Sequence, residues 1–177
     1  LAAAQAIDSS TVISIKNGGG LRAIIGQIDG ITGELLPPAA NPNAVPPKPL
    51  GAISELDIAN SARFNNTLVL LDLSVVDLVE ILNYGYADSF EGNTPGRFTQ
   101  VGGMQVSFVP PLGVNPAMVK SIALVDFDGR VTELLYKDGA FVADPNRELR
   151  IVTLNFLAGG GDGYAFPSLG ANLLNTG

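Results

Sequence analysis

At 177 residues the chain has the length of a single domain, long enough to bury about 70% of its unfolded surface without disulfides or metals. Its 46% hydrophobic and 15% charged residues exclude disorder, and 10 Lys and Arg against 17 Asp and Glu leave no basic face for nucleic acid or an anionic membrane. The absence of both Cys and His excludes disulfides, thiolate zinc sites, Cys nucleophiles and a Ser-His-Asp triad, so any metal here would be a hard cation held by oxygen.

In chain order, residues 2–8 read as the tail of a helix. The chain opens at Leu1 rather than Met and shows no signal peptide, which reads as a fragment or a processed product. Thr11 to Lys16 alternates and is β-branched, a strand. Residues 37–49 hold six prolines and one charge and read as a polyproline-like surface insertion. Ser54 to Ala62 is a short helix with Ser54 and Asp57 as its capping signal. Thr67 to Leu73 is a strand whose continuous apolar run implies burial on both faces. Ser74 then caps a helix with Val75, Leu78, Val79 and Leu82 on one side and Asp77, Glu80 and Asn83 on the other. Asp72, Asp77 and Glu80 interrupt this apolar region, so it is not a membrane span.

Strands follow at Met104 to Val109, Val119 to Phe127, Val131 to Tyr136 and Leu149 to Asn155. Asp128-Gly129 and Asp138-Gly139 both read as type I′ hairpin turns. Asp126-Phe-Asp128-Gly129 lacks the spacing of a calcium loop, so the hairpin reading prevails. With helix and strand first and a meander afterwards, the expected class is α+β: a mixed or antiparallel sheet with a few packed helices, in one domain over 1–177.

Three glycine-rich segments could carry chemistry. Asn17-Gly18-Gly19-Gly20-Leu21-Arg22 is either a tight turn or an anion site, with converging amides and a guanidinium fork. It lacks the Gly-Lys-Ser/Thr end of a Walker loop. Phe98-Thr-Gln100-Val-Gly102-Gly103 either presents a ring beside open space or is a core Phe before a β-bulge. Asn155-Phe156-Leu-Ala-Gly-Gly-Gly-Asp162-Gly-Tyr164 places an acceptor inside a flexible loop, suited to ligand hydroxyls.

In this order and at these intervals the three segments resemble the C-terminal domain of the 5′-nucleotidase / UDP-sugar hydrolase family, over residues 1 to 167. Phe64-Asn65-Asn66 is similar to that family's Phe-Gly-Asn loop. Departures are the long Pro-rich stretch, Arg63 where the family often has Pro, and no match for every phosphate-binding arginine.

The resemblance implies a substrate-recognition domain that binds a nucleotide or related phosphoester. Phe156 and Phe98 would sandwich the base, Asp162 would hold the ribose hydroxyls, and Arg22 would meet the phosphate beside Gly19 and Gly20. Asn65 or Asn66 would touch the base edge. It also implies a metallophosphatase domain, N-terminal in the same polypeptide, that holds divalent metal ions. This chain would hold no cofactor and be inactive alone, and the whole hydrolase would be extracellular or periplasmic. The alternative is a structural or binding module of a large extracellular protein with a degenerate nucleotide site. Stacking contributes about 1–3 kcal/mol per base contact and a 1 mM dissociation constant needs about 4 kcal/mol, so two rings and an Asp reach that range and little further, and binding by this chain alone is expected near 1 mM.

Overall fold

The structure is a computed structural model that describes residues 1–90 and 92–166 and the backbone of 172–174. Pro167, the last residue of the family resemblance, lies outside the described residues. In chain order the elements are α1 (Ala2–Gln5), β1 (Ile13–Asn17), β2 (Gln27–Ile28), β3 (Leu35–Leu36), α2 (Glu55–Ser61), β4 (Leu68–Ser74), α3 (Val75–Tyr86), β5 (Thr99–Gly102), β6 (Met104–Val109), β7 (Met118–Val125), β8 (Val131–Lys137), β9 (Ala140–Phe141), β10 (Glu148–Leu154), α4 (Asn155–Ala158) and β11 (Asn172–Leu174). The class is α+β, as expected. The chain forms two compact units, one of Leu1–Gly19 with Asn66–Gly177 and one of Gly20–Asn65.

The first unit carries two sheets. One has the order β11-β4-β10-β1-β5, with β1 parallel to β10 and its other pairs antiparallel. The other is the antiparallel meander β6-β7-β8-β9. Alternation along β4 sends Leu71 and Leu73 into the main core and Leu70 to the opposite face, where it meets Ala4 of α1 and Val152. That is the two-sided burial its continuous apolar run implied. The main core joins Ile13, Ile15 and Ile151 to Leu78, Ile81 and Leu82 of α3 and to Ile122 and Leu135 of the meander. Arg150 of β10 lies directly across from Asp72 of β4 and grips its carboxylate with two bonds, 2.6 and 3.0 Å. Such a two-pronged charged pair fixes strand register as well as adding energy.

Glycine marks the corner between the sheets. Gly103 has φ 78°, and a Cβ there would stand 2.1 Å from the Val12 carbonyl oxygen. Only glycine fits this bend, which carries the chain from β5 into β6.

The two hairpin turns differ. At Asp138-Gly139 both residues have positive φ, 49° and 86°, as a type I′ turn requires. At Asp128-Gly129 only Gly129 does. There the Asp126 carboxylate accepts from the Asp128 and Arg130 amides at 3.0 and 2.8 Å, and this local bond overrides the two-residue turn.

In the second unit β2 pairs with β3, and Ser54 caps α2 through a reciprocal bond with Asp57. The Pro-rich stretch closes on itself rather than running extended. Asn41 and Lys48 exchange backbone bonds of 2.8 and 2.9 Å. Lys48 then reaches Asp57 at 2.5 Å. With the ammonium first and the Ser54 amide next, the Asp57 carboxyl is lowered from 3.8 to about 2. A depressed carboxyl stabilises the fold above its unfolded value and loses that contribution as pH falls through the folded one. The Lys48–Asp57 clasp is therefore expected to hold at pH 4 and open as pH drops through about 2. The Ser54 amide shift followed by NMR reports this. A midpoint near 3.8 would contradict the clasp, and Asp57→Asn removes the transition.

Candidate functional site

The loop after β10 is built to hold one ring and one carboxylate. Asn155 anchors its start: the Asn155 side-chain oxygen accepts from the Thr67 amide, and the Asn155 amide donates to the Thr67 carbonyl, both at 3.0 Å. Past α4 the backbone turns back through Gly160 (φ 90°), Asp162 (φ 53°) and Gly163 (φ 78°). This fold-back lays Gly161 against the Phe156 ring, where an added Cβ would sit 2.5–2.6 Å from three ring carbons. Glycine thus backs the ring closely. Phe156 remains 43% exposed, with surface to offer a planar ligand.

Asp162 is fixed from two sides. Its Oδ2 accepts from the Asn17 side-chain nitrogen at 2.6 Å, across 145 positions of sequence. Its carbonyl accepts from the Tyr84 hydroxyl at 2.7 Å. Asn17, at the end of β1, is 8% exposed, and its Oδ1 is buried with no hydrogen-bond partner among the described residues. A buried acceptor without a donor is costly, and this oxygen is an exception to the usual pairing of buried polar atoms.

Behind the loop stands a tyrosine frame. The Tyr164 hydroxyl donates to the Arg97 carbonyl at 2.6 Å and so takes its 2.7 Å bond from the Thr99 hydroxyl. Tyr86 donates to the Thr99 carbonyl at 3.1 Å. Burial is the first cause that pushes both phenols up to about 12. They are neutral hydrogen-bonding groups with no acid–base role near neutral pH.

The other sequence-derived candidates fall into different settings. Phe98 is partly buried against the core, edge-on to Tyr86 at 5.0 Å and to Phe108 at 6.4 Å. Its ring is half-buried, with one part packed on the protein and the rest exposed. The Gly18 and Gly19 amides donate to the Phe98 and Gly96 carbonyls at 2.8 and 2.6 Å, so neither is left to converge on an anion. A Cβ on Gly19 would lie 2.9 Å from the Gly96 carbonyl oxygen, and close backbone approach explains that glycine. Asn66 belongs to the first unit, with Phe156 and Asp162.

Gly20, Arg22 and Asn65 fall in the second unit. There the Arg22 guanidinium lies over the Phe64 ring, 5.8 Å from its centre, and Phe64 is 55% exposed. Asn65 has φ 48°, a conformation that Asn tolerates better than most residues, so it can stand where the family has Gly. Sequence reasoning passed over Asn17, Tyr84 and the Phe64 ring. The one available signal was Asn17, a polar residue closing an apolar strand directly before three glycines.

Among the described residues no three acidic, His or Cys side chains stand together to hold a metal ion. A 360 Å³ cavity lined by Leu1, Gln5, Val12, Gly103, Leu124 and Phe127 includes none of the candidate residues.

Residues 1–169 match the family described as 5′-nucleotidase, C-terminal domain. The chain belongs to that family. It is 31% identical over 156 residues to the trifunctional nucleotide phosphoesterase protein YfkN of Bacillus subtilis, covering 86% of this chain and 8% of YfkN. The crystal structure of a 5′-nucleotidase precursor from Thermus thermophilus superposes with a TM-score of 0.66 at 25% identity, over 97% of this chain and 27% of that one. The NAD nucleotidase NadN of Haemophilus influenzae gives 0.61 at 17% identity, over 94% and 25%, and shares the fold. The chain thus spans about a quarter or less of the length of these members of the 5′-nucleotidase family. No helix among the described residues is long and apolar enough to cross a membrane.

Proposed function

We propose that this chain is the nucleotide-recognition domain of a 5′-nucleotidase-like phosphoester hydrolase. The observation that carries the reading is the single loop that backs the Phe156 ring with Gly161 while fixing Asp162 against Asn17. Phe156 stacks the base, Asp162 accepts from the ribose hydroxyls, and Asn17 orients the Asp162 carboxylate. Arg22 and Asn65 belong to the second unit, where Arg22 is a cation suited to a phosphate and lies over the half-exposed Phe64 ring. Asn66 is a candidate for the contact to the base edge. The match to longer nucleotide phosphoesterases supports catalysis by another domain of the same polypeptide, and this reading makes that domain the metal holder and the setting extracellular or periplasmic. Divalent metal ions belong to that domain in this reading.

A second reading is a family fold kept for structure. The committed Gly18 and Gly19 amides favour it, since they remove expected ligand contacts.

The ribose contact separates the two. A hydrogen bond to a charged group contributes about 1.5–3 kcal/mol, so 2′,3′-dideoxy-AMP should bind about tenfold or more weakly than AMP. Asp162→Asn should erase most of that difference. Equal affinity for the two ligands in the unmodified protein would remove Asp162 from ribose recognition.

A further inference from the structure

The end of α3 is committed residue by residue. Asn83 accepts from the Val119 amide at 2.7 Å and ties the helix to the meander. Gly85 is packed so closely that a Cβ would sit 1.7 Å from the Thr99 hydroxyl. Tyr86 donates to the Thr99 carbonyl. Between them Tyr84 projects to the candidate site. Its ring meets Tyr164 edge-on at 5.3 Å, and the Arg97 guanidinium, itself paired with Asp88, lies 4.6 Å from the ring centre. With ring and backbone held, the hydroxyl has one place to be, and there it meets the Asp162 carbonyl. Gly163 leaves the room: a Cβ on it would stand 2.3 Å from the Tyr84 oxygen.

Asp162 needs such a hold. Its φ of 53° is disfavoured for a residue with a Cβ, and glycines with positive φ stand on either side at 160 and 163. The Asn17 bond fixes the carboxylate and the Gly163 amide donates to the Gly160 carbonyl at 3.2 Å, while the Asp162 carbonyl on that same peptide is held by the Tyr84 hydroxyl. We propose that Tyr84 is the positioning residue that locks the Asp162 backbone in its left-handed conformation and thereby aims its carboxylate at the ligand. This rests on the ribose role proposed for Asp162.

The test compares Tyr84→Phe, which keeps the ring and deletes the hydroxyl, with the unmodified protein. Without ligand, the Asp162 carbonyl carbon shift and its amide–Hα coupling should both change. With ligand, AMP should bind about three- to tenfold more weakly, the range for one lost hydrogen bond. Binding of 9-methyladenine, which stacks but has no ribose, should be unchanged. In an Asp162→Asn background Tyr84→Phe should add nothing. Equal weakening of AMP and 9-methyladenine would show general damage and overturn the proposal. So would unchanged Asp162 carbonyl and coupling values. If the unmodified protein binds no AMP, the recognition reading fails and takes the ligand role of Tyr84 with it. The ligand-free shifts then still decide whether Tyr84 locks the backbone.

Discussion

Gly85→Ala is expected to cost about 2–6 kcal/mol of stability. The added Cβ would stand 1.7 Å from the Thr99 hydroxyl, 3.0 Å from the Thr99 Cβ and 2.7 Å from the Tyr164 hydroxyl. Thr99 and Tyr164 are 1% and 2% exposed, so neither can swing into solvent. Overpacking alone costs about 1–3 kcal/mol. Separating the Thr99–Tyr164 bond leaves buried polar atoms without partners, about 1–3 kcal/mol more. Urea unfolding should show a lower midpoint with an unchanged slope. Thr99→Ala removes the clashing oxygen, so the double variant should be more stable than the two separate losses add up to. A Gly85→Ala protein as stable as the parent would contradict the packing at the end of α3.

Phe156→Ala is expected to weaken nucleotide binding about fivefold to a hundredfold, the loss of one stacked base at about 1–3 kcal/mol. The fold should survive, because the ring is 43% exposed and belongs to no buried core cluster among the described residues. Gly161→Ala makes the same point while keeping the ring. Its Cβ would stand inside the contact distance of three ring carbons and push Phe156 out of place. Both variants should lose affinity for AMP and for 9-methyladenine alike, which sets them apart from Tyr84→Phe. Calorimetric titration measures each, and parent-like affinity in Phe156→Ala would remove the ring from the site.

Elements whose own residues decide them were legible in the sequence. α3 follows from Val75, Leu78, Val79 and Leu82 after the Ser74 cap, and it runs on to Tyr86 because Gly85 packs against Thr99. β4, β6 and β10 follow from their apolar runs and alternation. β5 escaped notice: it is four residues long and lies at the edge of its sheet, where little pattern accumulates. Asp128-Gly129 misled because the overriding bond comes from Asp126.

The site divides along the same line. The NFLAGGGDGY loop is local, and its ring and carboxylate could be read directly. Asn17 and Tyr84 reach Asp162 only through the tertiary fold, over 145 and 78 positions. Phe98 and Phe64 look alike in sequence, each beside turn-forming residues. Packing alone distinguishes them, one against Tyr86 and Phe108, the other with its ring 55% exposed.

The most direct measurement is an NMR titration of AMP into the isotope-labelled chain, with Phe156→Ala alongside. The account predicts saturable shifts centred on Asn17, Phe156, Gly161 and Asp162, with a dissociation constant near 1 mM, and their loss in the variant. No movement at those residues by about 10 mM AMP, well above that constant, would contradict nucleotide recognition by this chain.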